Sequence, residues 1–226
     1  MDGADQLEKG NSIFLEFIVR AVSKYTAFTL CMHNKLEEYI EKHHKNHLIF
    51  DFDETIFRLV LPWERCFAFK EKELRALDNA LIESYFQFKI GWSDLQNILI
   101  TQYGEKAKKI ILENNRRFET ELLEDVEINH ELLEFVQKNK DKTLFIWSSN
   151  TQDVVEKVLR DFGIQERFEK IITRTDVSML KDHPEGFGMI ADGQTPKESY
   201  VMIGDSVHDK NAAENAGIDF YQISYF

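Results

Sequence analysis

Cysteine, proline and long apolar runs are scarce in this sequence of 226 residues. It contains 3 prolines and 2 cysteines, Cys31 and Cys66. Two cysteines form neither a disulfide framework nor a metal-binding spacing, so we expect free thiols in a reducing compartment. No stretch of about 18 residues is apolar and free of charge, which predicts that no segment spans a membrane.

Basic residues are also in short supply. Lysine and arginine total 28 against 40 acidic residues, which gives a formal net charge of −12. This surplus of negative charge argues against nucleic acid as a partner. It predicts a bound cation wherever acidic side chains must handle an anionic substrate. Residues 1–10 are acidic and polar, unlike a secretory signal, so we expect a cytoplasmic protein.

The hydrophobic pattern divides the chain into three regions. In residues 11–42 apolar side chains recur at three- and four-residue steps, which predicts an amphipathic helix within an N-terminal extension of residues 1–47. That helix suits packing on the outside of the core, or a homodimer contact. The mixed charges on its polar face make a membrane-surface helix the least favoured alternative.

Residues 60–123, called the helical insert below, form the second region. Apolar stripes at helical spacing run through it three times, and no strand pattern interrupts them. Ser93 followed by Gln96 predicts a capping box at the start of one helix, and Gly104 predicts the end of that helix. We therefore expect an inserted all-helical cap domain here.

The third region alternates between strand and helix. Apolar runs predict parallel strands covered on both faces, separated by helices that begin near Asn129, Thr151 and Asp209. The runs are HLIF, KTLFIW, EKIITR, SYVMIG and DFYQIS. They predict an α/β fold in which residues 48–59 and 124–226 form a doubly wound parallel sheet, with the helical insert placed after its first strand.

Polar side chains follow the predicted strands. Ligands of doubly wound sheets bind at the carboxyl ends of the strands, so we expect these side chains to meet at one edge of the sheet. The first strand is followed by Asp51, Asp53 and Thr55. Later strands are followed by Ser148, Ser149, Asn150, Lys181, Asp205 and Asp209.

Four of these strand ends, DFDET, WSSN, LKDHP and GDSVHD, resemble the motifs of the haloacid dehalogenase superfamily. The resemblance covers the chain from residue 48 to its end, and the helical insert looks like the cap domain found at this position in such enzymes. The resemblance implies a Rossmann-like core. For most members it also implies Mg²⁺-dependent phosphatase or phosphomutase activity.

The resemblance further implies roles for the acidic residues. Asp51 is expected to attack phosphorus and form an aspartyl-phosphate, while Asp53 protonates the leaving alcohol and then activates water. Mg²⁺ is expected to bind the side chains of Asp51 and Asp205 and the backbone carbonyl of Asp53, with Asp209 ligating directly or through water. The second aspartate disfavours dehalogenation, because dehalogenases of the superfamily lack it.

A phosphate-binding set is implied in the same way, namely Thr55 as the residue that fixes the loop, Ser149, Asn150 and Lys181. Ser148 replaces Ser149 if its strand ends one residue earlier, and Lys197 is the alternative to Lys181. Asp182 stands where the family usually has proline. Three glycines between residues 186 and 193 predict a short or irregular helix after it.

The expected function is hydrolysis of a phosphate monoester, a small phosphorylated metabolite, by a Mg²⁺-dependent phosphatase. A phosphomutase that uses the same residues is one alternative, and a binding module that has lost turnover is another. The helical insert is expected to close over the site and to select the substrate. The candidate contacts are Arg58, Trp63, Arg65, Lys89, Arg116 and Arg117.

Overall fold

The computed structural model describes residues 35–224 and Phe226, leaving aside the side chains of Glu64 and residues 66–70. The part of the predicted helix at residues 11–34, its homodimer contact and both cysteine side chains therefore lie outside the described residues. The chain separates into two compact units, Met1–His43 and His44–Phe226. In the first unit, residues 35–42 form helix α1.

A five-stranded parallel sheet forms the centre of the second unit. Its strands are β1 (His47–Phe50), β4 (Thr143–Trp147), β5 (Phe168–Ile172), β6 (Tyr200–Gly204) and β7 (Asp219–Gln222). They lie in the order β5-β4-β1-β6-β7, so β1 occupies the middle. Ile49 of β1 is paired with Phe145 on one side and with Met202 on the other. The predicted doubly wound parallel sheet is confirmed.

Helices cover both faces of this sheet because its strands are apolar on both sides. They are α6 (His130–Lys138), α7 (Gln152–Asp161), α8 (Glu185–Ile190) and α9 (Val207–Ala216). Ile49 shares one apolar cluster with Phe187 of α8 and Ala212 of α9. On the opposite face, the ring of Phe50 lies 6.1 Å from the ring of Phe135 in α6. The central strand β1 is therefore buried by helices on both faces of the sheet.

A two-stranded antiparallel sheet, called the β2–β3 pair below, connects the main sheet to the helical insert, and the sequence pattern did not predict it. It consists of β2 (Phe57–Val60) and β3 (Asp125–Ile128). Phe57 is paired with Ile128, and Val60 with Asp125. Each strand has only four residues and alternates between buried or half-buried and exposed side chains. Such short segments give a weak periodic signal beside the strong helical one.

Helices fill the insert, as its apolar stripes predict. They are α2 (Trp63–Leu77), α3 (Asn79–Phe86), α4 (Trp92–Tyr103) and α5 (Glu105–Glu121). Their shared core consists of Leu74, Ile82, Leu95, Leu99, Ala107 and Ile111. Within the described part of the chain, every helix is too short or too polar to cross a membrane.

The predicted capping box at Ser93 is wrong. Helix α4 begins one residue earlier, with Gly91 in an extended conformation as its N-cap, and no side chain caps this end. The Gln96 side chain is instead buried, and its Oε1 accepts a hydrogen bond from Asn115 at 3.0 Å. The predicted stop is confirmed, since Gly104 follows α4 with a φ of +56°.

Candidate active site

Asp51 and Asp53 lie where β1 ends, and both line a cavity of about 240 Å³. The backbone N–H of Asp51 donates to the carbonyl of Ile203 in β6 at 2.9 Å, which fixes the residue at the sheet edge. Phe52 points the other way into the core, where it is fully buried against Phe57. Alternation along an extended segment thus places both carboxylates on one side.

A tight turn after Asp53 positions its side chain. The backbone N–H groups of Ile56 and Phe57 both donate to the carbonyl of Phe52, at 3.2 and 3.0 Å. The chain turns so sharply that the Asp53 carboxylate accepts a hydrogen bond from the backbone N–H of Leu59 at 2.8 Å. Strand β2, which the sequence pattern did not predict, therefore holds the Asp53 side chain.

Thr55 is the residue of this turn that joins the acidic groups. It is fully buried, and its hydroxyl lies 3.4 Å from Oδ2 of Asp51 and 3.3 Å from Oδ1 of Asp205. Asn129 donates to the carbonyl of Thr55 at 3.0 Å and also caps helix α6. The loop position predicted for Thr55 matches this arrangement, while a contact to phosphate stays a prediction.

Lys181 brings a positive charge into the carboxylate group. Its ammonium donates to Asp51 and, at 2.5 Å, to Oδ1 of Asp209. Its side chain is 4% exposed and lines the same cavity as Asp51 and Asp53. Lys197, the alternative, instead donates to the carbonyl of Ala216 at 2.5 Å, at the end of α9.

Asp182, which departs from the usual family pattern, is accommodated by its own contacts. It has a φ of +82°, and its carboxylate lies 3.1 Å from Nδ1 of His208. Its carbonyl accepts from Asn215 of α9 at 2.6 Å. The short helix predicted after it is confirmed by the six residues of α8.

Asp209 is held by a capping box at the start of α9. Its Oδ2 accepts from the backbone N–H and the hydroxyl of Ser206, at 3.0 and 2.6 Å, and Ser206 Oγ accepts from the Asp209 N–H at 3.2 Å. A Cβ at Gly204 would lie 2.5 Å from the Asp209 carboxyl carbon. Only glycine at the end of β6 therefore lets the fully buried Asp209 carboxylate reach Lys181.

Three carboxylates are close enough to share a metal ion. One oxygen from each of Asp51, Asp205 and Asp209 lies within 4.8 Å of the others. In the part of the chain that the structure describes, this is the only such group of three or more acidic, histidine or cysteine ligands. The donors are all oxygens, which suits a hard cation such as Mg²⁺. The residues present therefore fit a divalent cation.

Burial disfavours the charged forms of these acids. Burial first, and then the neighbouring charge of Asp209, raises the pKa of Asp51 to about 8. Burial also raises the pKa of Asp53 to about 7 and raises that of Asp205. Burial acts to lower the pKa of Lys181, but Asp209 and Asp51 outweigh it and the pKa is raised. Negative charge is thus in excess here, and added positive charge is favourable.

The loop after β4 decides between the two candidate serines. The hydroxyl of Ser148 donates to the side chain of Asn150 at 2.9 Å and accepts its N–H at 3.1 Å, and Ser148 is buried. Ser149 and Asn150 line the cavity. The placement favours Ser149 over Ser148 as the group that faces a ligand.

The structure adds Glu119 to the site, a residue that sequence reasoning missed. Glu119 lies on α5 of the insert, yet its Oε2 accepts the backbone N–H and the hydroxyl of Thr151 at 2.7 and 2.6 Å. Thr151 precedes α7 as predicted, but its side chain makes no capping bond with that helix. The contact is purely tertiary, so no pattern of spacing in the sequence indicates it.

Arg174 is the second residue that was missed. It is buried, its Nε donates to the carbonyl of Ser149 at 2.5 Å, and its Nη1 donates to Gln96 of the insert. Together with Glu119 it fixes the loop that carries Ser149 and Asn150 from two sides. Arg174 is the last residue of the run EKIITR, so the strand-end criterion applied elsewhere would have found it.

Most of the predicted substrate contacts lie outside the cavity. Of the six candidates only Trp63 lines it. Arg58 pairs with Glu54 and Glu127 at 3.3 and 3.4 Å, and Lys89 lines a separate groove. Arg116 pairs with Asp153 at 2.7 Å and Arg117 with Glu121 at 3.3 Å. These arginines serve surface ion pairs.

Sequence comparison places this arrangement among known proteins. The family model of haloacid dehalogenase-like hydrolases matches residues 48–223. The pyrophosphatase PpaX of Halalkalibacterium halodurans is 30% identical over 156 residues, which cover 63% of this chain and 72% of that protein. PpaX of Listeria welshimeri is 29% identical over 115 residues, which cover 50% of this chain and only 52% of that relative.

Solved structures agree on the fold. A haloacid dehalogenase-like hydrolase from Bacteroides fragilis aligns with a TM-score of 0.53 at 19% identity, covering 78% of this chain and 86% of its own. An L-2-haloacid dehalogenase from Xanthobacter autotrophicus aligns with a TM-score of 0.50 at 12% identity, covering 79% and 77%. At these identities the likeness concerns the fold alone.

Proposed function

The chain belongs to the haloacid dehalogenase-like hydrolases, and from this premise we propose that it is a Mg²⁺-dependent phosphatase of small phosphate monoesters. The observation that carries the proposal is the buried contact of Asp51 with Lys181, beside Asp53 and Asp205 at one cavity wall. A nucleophile, a proton donor and a cation for the phosphoryl oxygens are thereby brought together.

The first step forms a bond between an Asp51 carboxylate oxygen and phosphorus, and the bond from phosphorus to the substrate oxygen breaks. Asp53 gives its proton to that oxygen, so the product leaves as a neutral alcohol. In the second step Asp53 takes a proton from water, which attacks phosphorus and releases phosphate from Asp51. The Leu59 N–H holds the Asp53 carboxylate through both steps.

Asp51 and Asp205 are the side chains that would hold Mg²⁺, with the backbone carbonyl of Asp53 as a further ligand. Asp209, whose oxygens already accept from Ser206 and Lys181, would ligate through water or act by holding Lys181. The metal supplies positive charge against the repulsion between the Asp51 carboxylate and the phosphate. That repulsion is about 4 kcal/mol per pair of unit charges at 4 Å and an effective dielectric of 20.

The remaining residues bind and enclose the phosphoryl group. Ser149 and the backbone of Asn150 donate to its oxygens, and Lys181 neutralises them. Thr55 keeps the loop of the nucleophile in place. In this proposal residues 60–123 act as a cap over a core formed by residues 48–59 and 124–226, and the cap excludes water when it is seated.

Phosphate release in the presence of Mg²⁺ or a chelator tests the proposal. We expect metal-dependent turnover of phosphate monoesters that falls about a thousandfold or more in Asp51→Asn. Asp161→Asn, an exposed change on α7, is the matched control and should keep full activity. Turnover that survives in Asp51→Asn would contradict the role of Asp51 as nucleophile. If no monoester releases phosphate, the proposed phosphatase activity is wrong.

The same assay addresses two related activities. Pyrophosphate, suggested by the name of the relatives, uses the same nucleophile and belongs in the substrate panel. A phosphomutase would return the phosphoryl group to a second position of the substrate, so it would convert one monoester into an isomer without releasing phosphate. Product analysis distinguishes this outcome from hydrolysis.

A further inference from the structure

Negative charge dominates the cavity. Its lining contains six carboxylates, from Asp51, Asp53, Glu54, Glu119, Asp205 and Asp209. Two side chains with fixed positive charge face them, Lys181 and Arg174. With Asp53 protonated, as its role of proton donor requires, the other five carboxylates exceed these two cations by three negative charges, and a bound divalent cation leaves one. A substrate that brings negative charge beyond its phosphate group would therefore be repelled.

The wall supplied by the helical insert has no basic side chain among those described. It consists of Trp63, Trp92, Ser93, Asn115, Phe118 and Glu119. The basic side chains predicted to reach the substrate lie elsewhere, as described above. Arg174, the one guanidinium in the cavity, already donates to the carbonyl of Ser149 and to Gln96.

Glu119 is the charged group on this wall. It is 6% exposed, and only its Oε2 accepts hydrogen bonds from other described residues, both from Thr151. It lines the same cavity as Asp53, the proposed donor to the leaving oxygen. The alcohol that leaves beside Asp53 therefore shares this cavity with the Glu119 carboxylate.

Aromatic rings line the same cavity as this carboxylate. Phe118 precedes Glu119 in α5, and its ring centre is 5.4 Å from that of Trp63. Trp63 is 53% exposed, so its ring is accessible for contact with a ligand. A carboxylate next to aromatic faces is a favourable environment for an ammonium group, through ion pairing and cation–π attraction.

Building on the phosphatase activity proposed above, on which this inference rests, we propose that the released alcohol carries a positive charge. The substrate class is the phosphate monoester of a small amino alcohol, with its ammonium in contact with Glu119 and the exposed ring of Trp63. Phosphate esters whose alcohol carries a carboxylate or a second phosphate should bind poorly in this cavity, because their extra negative charge meets Glu119 without a counter-charge.

Three esters of equal length test this charge preference. Phosphoethanolamine, ethylene glycol monophosphate and phosphoglycolate share a two-carbon chain that ends in an ammonium, a hydroxyl or a carboxylate. With Mg²⁺ we expect kcat/KM to fall in that order, with at least about a tenfold difference between the first and the last. p-Nitrophenyl phosphate serves as a general monoester, which reports whether the chemical step works at all.

Glu119→Gln assigns the preference to a residue. Glutamine keeps an oxygen that accepts from Thr151, so the loop contact survives while the charge is removed. We expect the ratio of kcat/KM for phosphoethanolamine over phosphoglycolate to fall about tenfold. Glu121→Gln, on the exposed end of the same helix, is the control and should leave the ratio unchanged. Thermal unfolding of each variant verifies that it folds.

The outcomes separate the inference from the proposed function. Turnover that ignores the terminal group, that favours phosphoglycolate, or that is confined to p-nitrophenyl phosphate overturns the amino-alcohol inference and leaves the phosphatase standing. If kcat/KM falls equally for all esters in Glu119→Gln, Glu119 only supports the loop. This result also overturns the amino-alcohol inference. No release from any of the four esters overturns the phosphatase and the inference together.

Discussion

The ammonium of Lys181 lies 2.5 Å from Oδ1 of Asp209, and neither side chain is more than 4% exposed. The same ammonium contacts Asp51, so one lysine joins the carboxylates that follow β1 and β6. Burying this many charges is costly, and the cost rises sharply when one of them loses its partner. The stability of the strand ends and the position of Asp51, the proposed nucleophile, therefore depend on the same residue.

Lys181→Met should destabilise the protein and abolish turnover. The change leaves Asp51 and Asp209 buried without their cation, which costs about 3–5 kcal/mol when one partner of a buried pair is removed. Urea unfolding measures the loss. Lys157→Met is the control, because Lys157 pairs with Asp161 on the exposed face of α7 and should cost less than about 1 kcal/mol. Equal effects of the two changes would contradict the role given to burial.

Gly204→Ala should be costly although it adds only one methyl group. The new Cβ would lie 2.5 Å from the Asp209 carboxyl carbon, and this carboxylate is held in place by Ser206 and Lys181. We expect a loss of about 1–3 kcal/mol in unfolding free energy, together with lower activity. Gly188→Ala, with no atom within 4 Å of its Cβ in helix α8, should be neutral or stabilising. Similar unfolding midpoints for the two variants would refute the steric argument.

Glu119 and Thr151 should be energetically coupled. Two hydrogen bonds to a buried carboxylate connect them, so their contributions to stability should not add. We expect a coupling energy of about 1–3 kcal/mol in a double-mutant cycle of Glu119→Ala and Thr151→Val, measured by urea unfolding. If the two changes in unfolding free energy are additive, other contacts hold the insert against the core.

Mg²⁺ should stabilise the folded protein through Asp205. A ligand that binds only the folded state raises the unfolding midpoint, so a Mg²⁺ titration followed by thermal unfolding reports the site without any enzyme assay. Asp205→Asn should remove the shift, and EDTA should reverse it in the native protein. Asp161→Asn should behave like the native chain. If Mg²⁺ still raises the unfolding midpoint of Asp205→Asn, the metal does not bind at this carboxylate.

Asp192 should make stability depend on pH in the acid range. Hydrogen bonds from the backbone N–H groups of Thr195 and Gln194 and from the Thr195 hydroxyl lower the pKa of Asp192 from 3.8 to about 2. A lowered folded-state pKa stabilises the protein above about pH 4, and this contribution is lost as the pH falls through about 2.

The comparison with Asp192→Asn isolates this effect. The native protein should have the higher unfolding midpoint near neutral pH, and the difference should shrink as the pH approaches 2. Thr195→Val, which removes only the hydroxyl donor, should give a smaller difference of the same sign. A difference that widens on acidification would contradict the assignment.

The sheet and one wall of the site were predictable from sequence because they depend on local pattern. Continuous apolar runs predict the five strands. Because residues at the carboxyl ends of parallel strands lie at one edge of the sheet, Asp51, Lys181 and Asp205 are then predicted to lie together. The wall from the insert was not predictable, since Glu119 finds Thr151 across 32 residues of sequence. The alternation in β2 and β3 covers only four residues each, and Gln96 serves a buried contact where spacing predicted a cap.

The hydrogen bonds between Glu119 and Thr151 also limit the exchange of the insert for one from another protein. The insert is joined to the core only through the short β2–β3 pair, an arrangement that favours exchange. Yet one of its carboxylates is the acceptor for the residue that opens α7, so a core grafted with a foreign insert would keep Thr151 and lose its partner. A chimaera that exchanges the insert should therefore keep a carboxylate at position 119 or replace Thr151 as well.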